Sequence, residues 1–133
     1  MDLITKYNIP VPRYTSYPTV PFWKNDLDEE HWKELVKASF KVNNKKGISL
    51  YIHLPFCESL CTYCACNTRI TVNHKVETPY IETLIKEWKL YLEQFDAKPL
   101  LKELHLGGGT PTFFSPENLQ YLIGSILSFC NIA

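Results

Sequence analysis

The stretch Ile48-Ser49-Leu50-Tyr51-Ile52-His53-Leu54-Pro55-Phe56-Cys57-Glu58-Ser59-Leu60-Cys61-Thr62-Tyr63-Cys64-Ala65-Cys66 decides the fold. From Ile48 to Leu54 the side chains alternate with the two-residue period of a strand: Leu50, Ile52 and Leu54 share one face, Tyr51 and His53 the other. Pro55 ends the strand, because proline supplies no N–H to a ladder. A cysteine segment with the spacing CxxxCxxCxC follows at once.

Downstream, Thr78-Pro79 predicts a helix start, with Thr78 as N-cap and Pro79 at the first helical position. Ile81, Leu84, Ile85, Trp88, Leu92 and Phe95 then recur at helical spacing. Leu101 to Leu106 reads as a second strand and runs into Gly107-Gly108-Gly109-Thr110-Pro111. Ser115-Pro116 opens a further helix by the same capping logic, with Leu119, Leu122, Ile123, Ile126 and Leu127 as its apolar face.

Upstream, residues 28–40 read as a helix with Trp32, Leu35, Val36 and Phe40 inward, capped by Asp26 or Asp28. Residues 1–25 carry Pro10, Pro12, Pro18 and Pro21 among aromatics, which predicts an extended aromatic arm packed on another surface.

The order is strand, loop, helix, strand, loop, helix. That is an α/β pattern with parallel strands and a right-handed crossover. Both special loops follow the C-terminal ends of strands, the edge where such folds bind ligands. The expected division is an N-terminal arm and helix over 1–46, then the first two βα units of an incomplete barrel over 47–133. A third strand is due after the last helix, so the chain reads as the N-terminal piece of a larger barrel.

Composition narrows the class. Of 133 residues 45% are hydrophobic, enough to bury a core, and only 21% are charged. Lys+Arg and Asp+Glu are both 14, without the basic excess of a nucleic-acid binder. No apolar run has the length of a membrane span, and MDLITKYNIP lacks a signal-peptide layout. A cytoplasmic protein with no nucleic-acid partner and no membrane span is expected.

Of the five cysteines, Cys57, Cys61, Cys64 and Cys66 are clustered, which points to metal ligands kept reduced rather than to a disulfide framework. Cys130, in an apolar helical pattern, reads as a buried structural thiol. Three thiolates spaced three and two residues apart let one loop wrap a compact iron–sulfur cluster and leave one iron of a four-iron cube open. Two alternatives stand on spacing alone: a closed four-thiolate site that also uses Cys66, and redox thiols. Glycines at 107–109 admit a ligand close to the backbone, where amides and carbonyls can bond it. No GK[ST] follows, so this is not a phosphate loop.

Three segments resemble, in order, the signatures of one family. They are Pro12-Arg13-Tyr14-Thr15-Ser16-Tyr17-Pro18-Thr19, Tyr51 through Asn67, and Gly107 through Thr112. The family is the oxygen-independent coproporphyrinogen III oxidases, which are radical S-adenosylmethionine (SAM) enzymes. The resemblance implies the N-terminal part of a radical SAM (β/α) partial barrel, preceded by an arm and a helix.

It further implies that Cys57, Cys61 and Cys64 ligate a [4Fe-4S] cluster whose open iron binds SAM. Tyr51, Tyr63, Gly108, Gly109 and Thr110 would contact SAM. His53 would lie near the site, and Cys66, matching a non-ligand cysteine, is an accessory residue. The implied activity is oxidative decarboxylation of coproporphyrinogen III propionates to vinyl groups by a 5′-deoxyadenosyl radical, giving protoporphyrinogen IX. Coproporphyrinogen III would be the substrate and an unidentified reductant the partner. The residues present are not expected to turn over substrate alone, since later strands supply much of the family's pocket.

Two other readings are a haem-chaperone-like radical SAM relative and a nonenzymatic iron–sulfur or zinc module. Cys66 and the Pro12–Thr19 segment favour the oxidase over the first, and the glycine loop disfavours the second. His31 is expected on a solvated helix face and His74 in a loop. His105 is expected to pack, and Glu58, Lys86, Glu87 and Lys89 to be solvated surface.

Overall fold

The computed structural model describes residues 2–8, 19–24 and 26–133. The segment Pro12–Pro18, which carries most of the first signature, lies outside the described residues. Within the described part of the arm the backbone is not extended. Leu3–Tyr7 forms a short helix, α1, and Val20–Phe22 a 3-10 turn. No proline interrupts residues 3–7, so Lys6 and Asn8 donate to the carbonyls of Asp2 and Ile4. Leu3, Ile4, Tyr7 and Phe22 are exposed, contrary to the expected packing.

Helix α2 spans Glu29–Asn43, and Asp28 caps it by accepting from the His31 amide at 2.8 Å. Its apolar side docks on the C-terminal end of α3, Glu77–Leu92, and the turn after it: Trp32 meets Tyr91 edge-on at 5.0 Å, and Phe40 stacks on Phe95, beyond the helix, with ring centroids 3.9 Å apart. Leu35 of the expected stripe is instead exposed. At the end of α2, Asn44 Oδ1 accepts from the Leu100 amide at 2.7 Å and ties that corner to the sheet.

Strand β1, Ile48–Leu54, and the two-residue β2, Phe56–Cys57, flank Pro55. β2 pairs with the short β3, Arg69–Ile70. β4 covers Leu100–Gly108, longer at both ends than its hydrophobic alternation suggests. After α4, Pro116–Ser128, the residues Asn131–Ile132 form β5, so the strand due after the last helix begins within this chain. The main sheet has the order β1-β4-β5 and is parallel throughout.

Burial follows the alternation. Ile52 and Leu54 are buried against Ile81, Ile85, Phe114 and Leu122 of the helical layer. Leaving such side chains in water would cost roughly 1.5–3 kcal/mol each. The opposite face carries Ser49, Tyr51 and His53 on β1, beside Glu103, His105 and Gly107 on β4. Cys130 is buried as expected, and burial pushes its thiol up.

One helix boundary differs from its sequence signal. Helix α3 starts at Glu77, continuing a 3-10 turn over His74–Val76 that Asn73 opens by accepting from the Lys75 amide. Thr78 is therefore not its cap, and Pro79 sits inside the first turn, where amides have no intrahelical acceptor. The α4 start is as its sequence signals: the Ser115 hydroxyl accepts from the Asn118 amide at 3.2 Å, and Pro116 follows.

Candidate functional site

The parallel register sets Leu54 opposite Gly108, so the two special loops leave the same sheet edge side by side. Three contacts join them. The Gly109 amide donates to the Leu54 carbonyl at 2.7 Å, and the Thr110 amide to the Phe56 carbonyl at 3.0 Å. The Thr110 hydroxyl donates to Cys57 Sγ at 3.3 Å.

These bonds change the reading of the glycines. The amides of Gly109 and Thr110 are already engaged by β1 and β2, so they are not available to an amino-acid ligand. The absence of side chains also has a local reason. A Cβ on Gly109 would lie 2.7 Å from the Pro55–Phe56 backbone. One on Gly108, at φ +109°, would lie 2.7 Å from the His53 ring.

His53 is the link between strand and cysteine loop. Its Nε2 lies 2.8 Å from the Asn67 carbonyl, which only accepts, so Nε2 carries the proton. In the neutral ring Nδ1 then accepts from the Tyr51 hydroxyl at 3.1 Å. Tyr51 also stacks on His105, ring centroids 5.6 Å apart. His105 is therefore an exposed partner of Tyr51 rather than a core side chain. On the other side, the Tyr80 hydroxyl donates to the His53 carbonyl at 2.7 Å. Burial, with Glu87 and Tyr51 nearby, holds that phenol above its usual range.

The cysteine loop is fastened at its ends. The Arg69 and Thr71 amides donate to the carbonyls of Pro55 and Cys57. Between these ends the Cys64 amide closes a tight turn onto the Cys61 carbonyl at 3.1 Å, and Cys64 Sγ lies 3.9 Å from the Thr68 hydroxyl. Cys57 is half-buried, whereas Cys61, Cys64 and Cys66 are exposed free thiols. Tyr63, at 88% exposure, touches none of the other candidate residues. Among the described residues no three His, Cys, Asp or Glu side chains stand together as a ligand set. The donor chemistry nevertheless fits an iron–sulfur cluster: soft thiols on one short loop, whose one carboxylate, Glu58, faces His74.

Two features of the site carry no sequence signal read above. Glu58 faces His74 at 3.4 Å rather than being merely solvated. Tyr80, which bonds the His53 carbonyl, lies outside the apolar stripe that marks α3 in the sequence. The cleft of about 300 Å³ along the open edge of β1 includes Tyr51 and His53 but no cysteine or glycine, so the cysteine–glycine junction lies outside it.

A cysteine loop at the C-terminal end of the first parallel strand, hydrogen-bonded to the glycine loop of the next, defines the N-terminal part of a radical SAM partial barrel. A solved radical SAM enzyme, coproporphyrinogen III oxidase (HemN) from Escherichia coli, superposes with a TM-score of 0.79 at 29% identity, over 98% of this chain and 27% of its own. Among curated proteins, the oxygen-independent coproporphyrinogen III oxidase of Pseudomonas aeruginosa is 36% identical over 98% of this chain and 28% of its own length. That of Helicobacter pylori is 41% identical over 94% of this chain and 27% of its own. No family model matches. The chain is thus similar, along nearly its whole length, to the N-terminal portion of the oxygen-independent coproporphyrinogen III oxidases. It spans little more than a quarter of the length of these relatives.

Proposed function

We propose that this chain is the cluster- and SAM-binding portion of an enzyme that oxidatively decarboxylates coproporphyrinogen III in haem biosynthesis. The observation that carries the reading is the 3.3 Å hydrogen bond from Thr110 to Cys57 Sγ, which joins the cysteine motif to the glycine motif. The names of the relatives supply the substrate, and an unidentified reductant supplies electrons. A cytoplasmic setting accords with the readily oxidised thiols. Among the described residues no helix is long and apolar enough to cross a membrane.

Cys57, Cys61 and Cys64 would hold the [4Fe-4S] cluster, with Cys66 as an accessory thiol. Bound together, cluster and SAM supply the one-electron cleavage that starts radical chemistry on the propionates. The Thr110 hydroxyl bond lowers the charge density on the Cys57 sulfur. His53 would hold the exit of the cysteine loop through Asn67, whose carbonyl fixes the ring tautomer, with the Tyr51 hydroxyl on the other nitrogen. An incoming amino group, a donor, would take carbonyls of residues 108–110, while the engaged Gly109 and Thr110 amides are not left for its carboxylate. Tyr63, exposed on the cysteine loop, would cover the ligand.

The test uses a protein that carries this chain together with the rest of its relatives' length. Incubated anaerobically with coproporphyrinogen III, SAM and a low-potential reductant, it is expected to release CO2 and form protoporphyrinogen IX. Haem transfer without decarboxylation would replace this reading with the haem-chaperone one. Four-thiolate zinc without iron would replace it with the metal module.

A further inference from the structure

We infer that His74 is a positioning residue that clamps the first turn of the cysteine loop to the ends of α3 and α4. Three elements converge on its ring. Nδ1 lies 2.7 Å from Glu77 Oε1, and Nε2 lies 3.4 Å from Glu58 Oε1, one residue beyond Cys57. One face stacks on Phe113 of the glycine-loop segment, ring centroids 4.4 Å apart and planes 14° from parallel.

Glu77 makes the far side of the clamp rigid. It is the one buried charged residue among those described, at 2% exposure. Its second oxygen accepts from the Ser115 amide at 2.9 Å and from Asn118 Nδ2 at 2.7 Å, both at the start of α4. A buried carboxylate needs this degree of satisfaction. The His74 bond completes it and carries the constraint outward to the loop.

Ionised carboxylates only accept, so the ring satisfies both at once only when it carries both protons. An imidazolium also suits the face of Phe113. The hydrogen bond with Glu77, aided by Glu58, holds the His74 value above that of a free imidazole. The clamp therefore links both loops of the site to one buried charge. Its purpose rests on the cluster-loop reading above; its existence rests on the geometry alone.

Hydrogen–deuterium exchange of the full chain tests it. His74→Phe keeps a ring against Phe113 but removes both N–H donors. Exchange at the Thr71 amide, which closes the loop onto the Cys57 carbonyl, is expected to rise about threefold in that variant, the loss of the exposed pair with Glu58. Glu58→Ala, at a 65% exposed side chain, is expected to raise it about threefold as an exposed ion pair. The double variant should match His74→Phe, because both act through one ring. Nitrogen-15 spectra should show the His74 ring titrating above a free imidazole.

Unchanged exchange in His74→Phe, additive effects in the double variant, or a ring that titrates no higher than a free imidazole would overturn the inference. If His74→Phe does not fold, unchanged exchange in Glu58→Ala overturns it instead. A chain that takes up no iron yet shows these exchange effects would sink the cluster reading and leave the clamp standing.

Discussion

The cysteine loop and the glycine loop leave the same sheet edge, yet they are built in opposite ways. The glycine loop is packed so tightly that a methyl group on Gly109 meets backbone at 2.7 Å. Its two following residues of aromatic core, Phe113 and Phe114, are buried. The cysteine loop is held at its ends, by Arg69, Thr71, Asn67 and Glu58, while Leu60, Cys61, Tyr63 and Cys64 face solvent. One loop is set by packing before any ligand arrives. In the other, only the entry and exit are set, and the intervening thiols are free to be gathered by a metal, as in sites where binding completes folding.

The largest effects separate the two loops most sharply. Cys61→Ala should remove cluster iron, read by iron analysis after anaerobic reconstitution, while its exposed neighbour Leu60→Ala keeps it. Neither should change the melting temperature of the apoprotein noticeably, because both side chains lie outside the core. Gly109→Ala should do the reverse to the fold. Overpacking against backbone costs about 1–3 kcal/mol, and a thermal melt should fall by about 5 °C or more. An apoprotein that melts normally with Gly109→Ala would erase the contrast.

A smaller effect comes from the point where the loops meet the helices. Burial acts to raise the Glu77 carboxyl, but the bonds from Asn118, the Ser115 amide and His74 outweigh it and hold it below its usual value of 4.5. The Glu77 bond first, then Glu58, holds His74 above 6.5. A lowered carboxylate contributes stability that is present above 4.5 and lost as pH falls through its folded value. A raised histidine contributes stability that is present below 6.5 and lost as pH rises through its folded value. Melting temperature should therefore be highest between those two limits, and His74→Phe should flatten the alkaline side. The smallest effect is Tyr63→Ala, expected within about 0.5 kcal/mol of wild-type stability. If Tyr63 covers the ligand as proposed, that variant should still weaken the response of the cluster to SAM.

Much of this was legible along the chain. Local signals were enough for β1, for the α4 cap at Ser115–Pro116 and for the Asp28 cap, because each is written within a few residues. Two adjacent parallel strands and their loops followed from element order. What stayed hidden depends on distant partners. Glu77 looks like an ordinary acidic residue of a first helical turn; the amide and side chain that bury it lie 38 and 41 residues away. The α3 start falls ahead of Thr78 because the helix continues the 3-10 turn that Asn73 opens. The glycine run reads as room for a ligand, whereas much of that room is filled by His53 and the Pro55–Phe56 backbone. Helical turns in the arm were masked by its prolines, which lie mainly outside α1.

The central claim is that these two loops form one cluster-and-SAM site. Electron paramagnetic resonance of the anaerobically reconstituted, reduced protein, recorded with and without SAM, tests it most directly. A [4Fe-4S] signal that shifts on adding SAM, and fails to shift in Gly109→Ala, is the expected result. A cluster signal indifferent to SAM in the wild type would contradict it and point to a closed site.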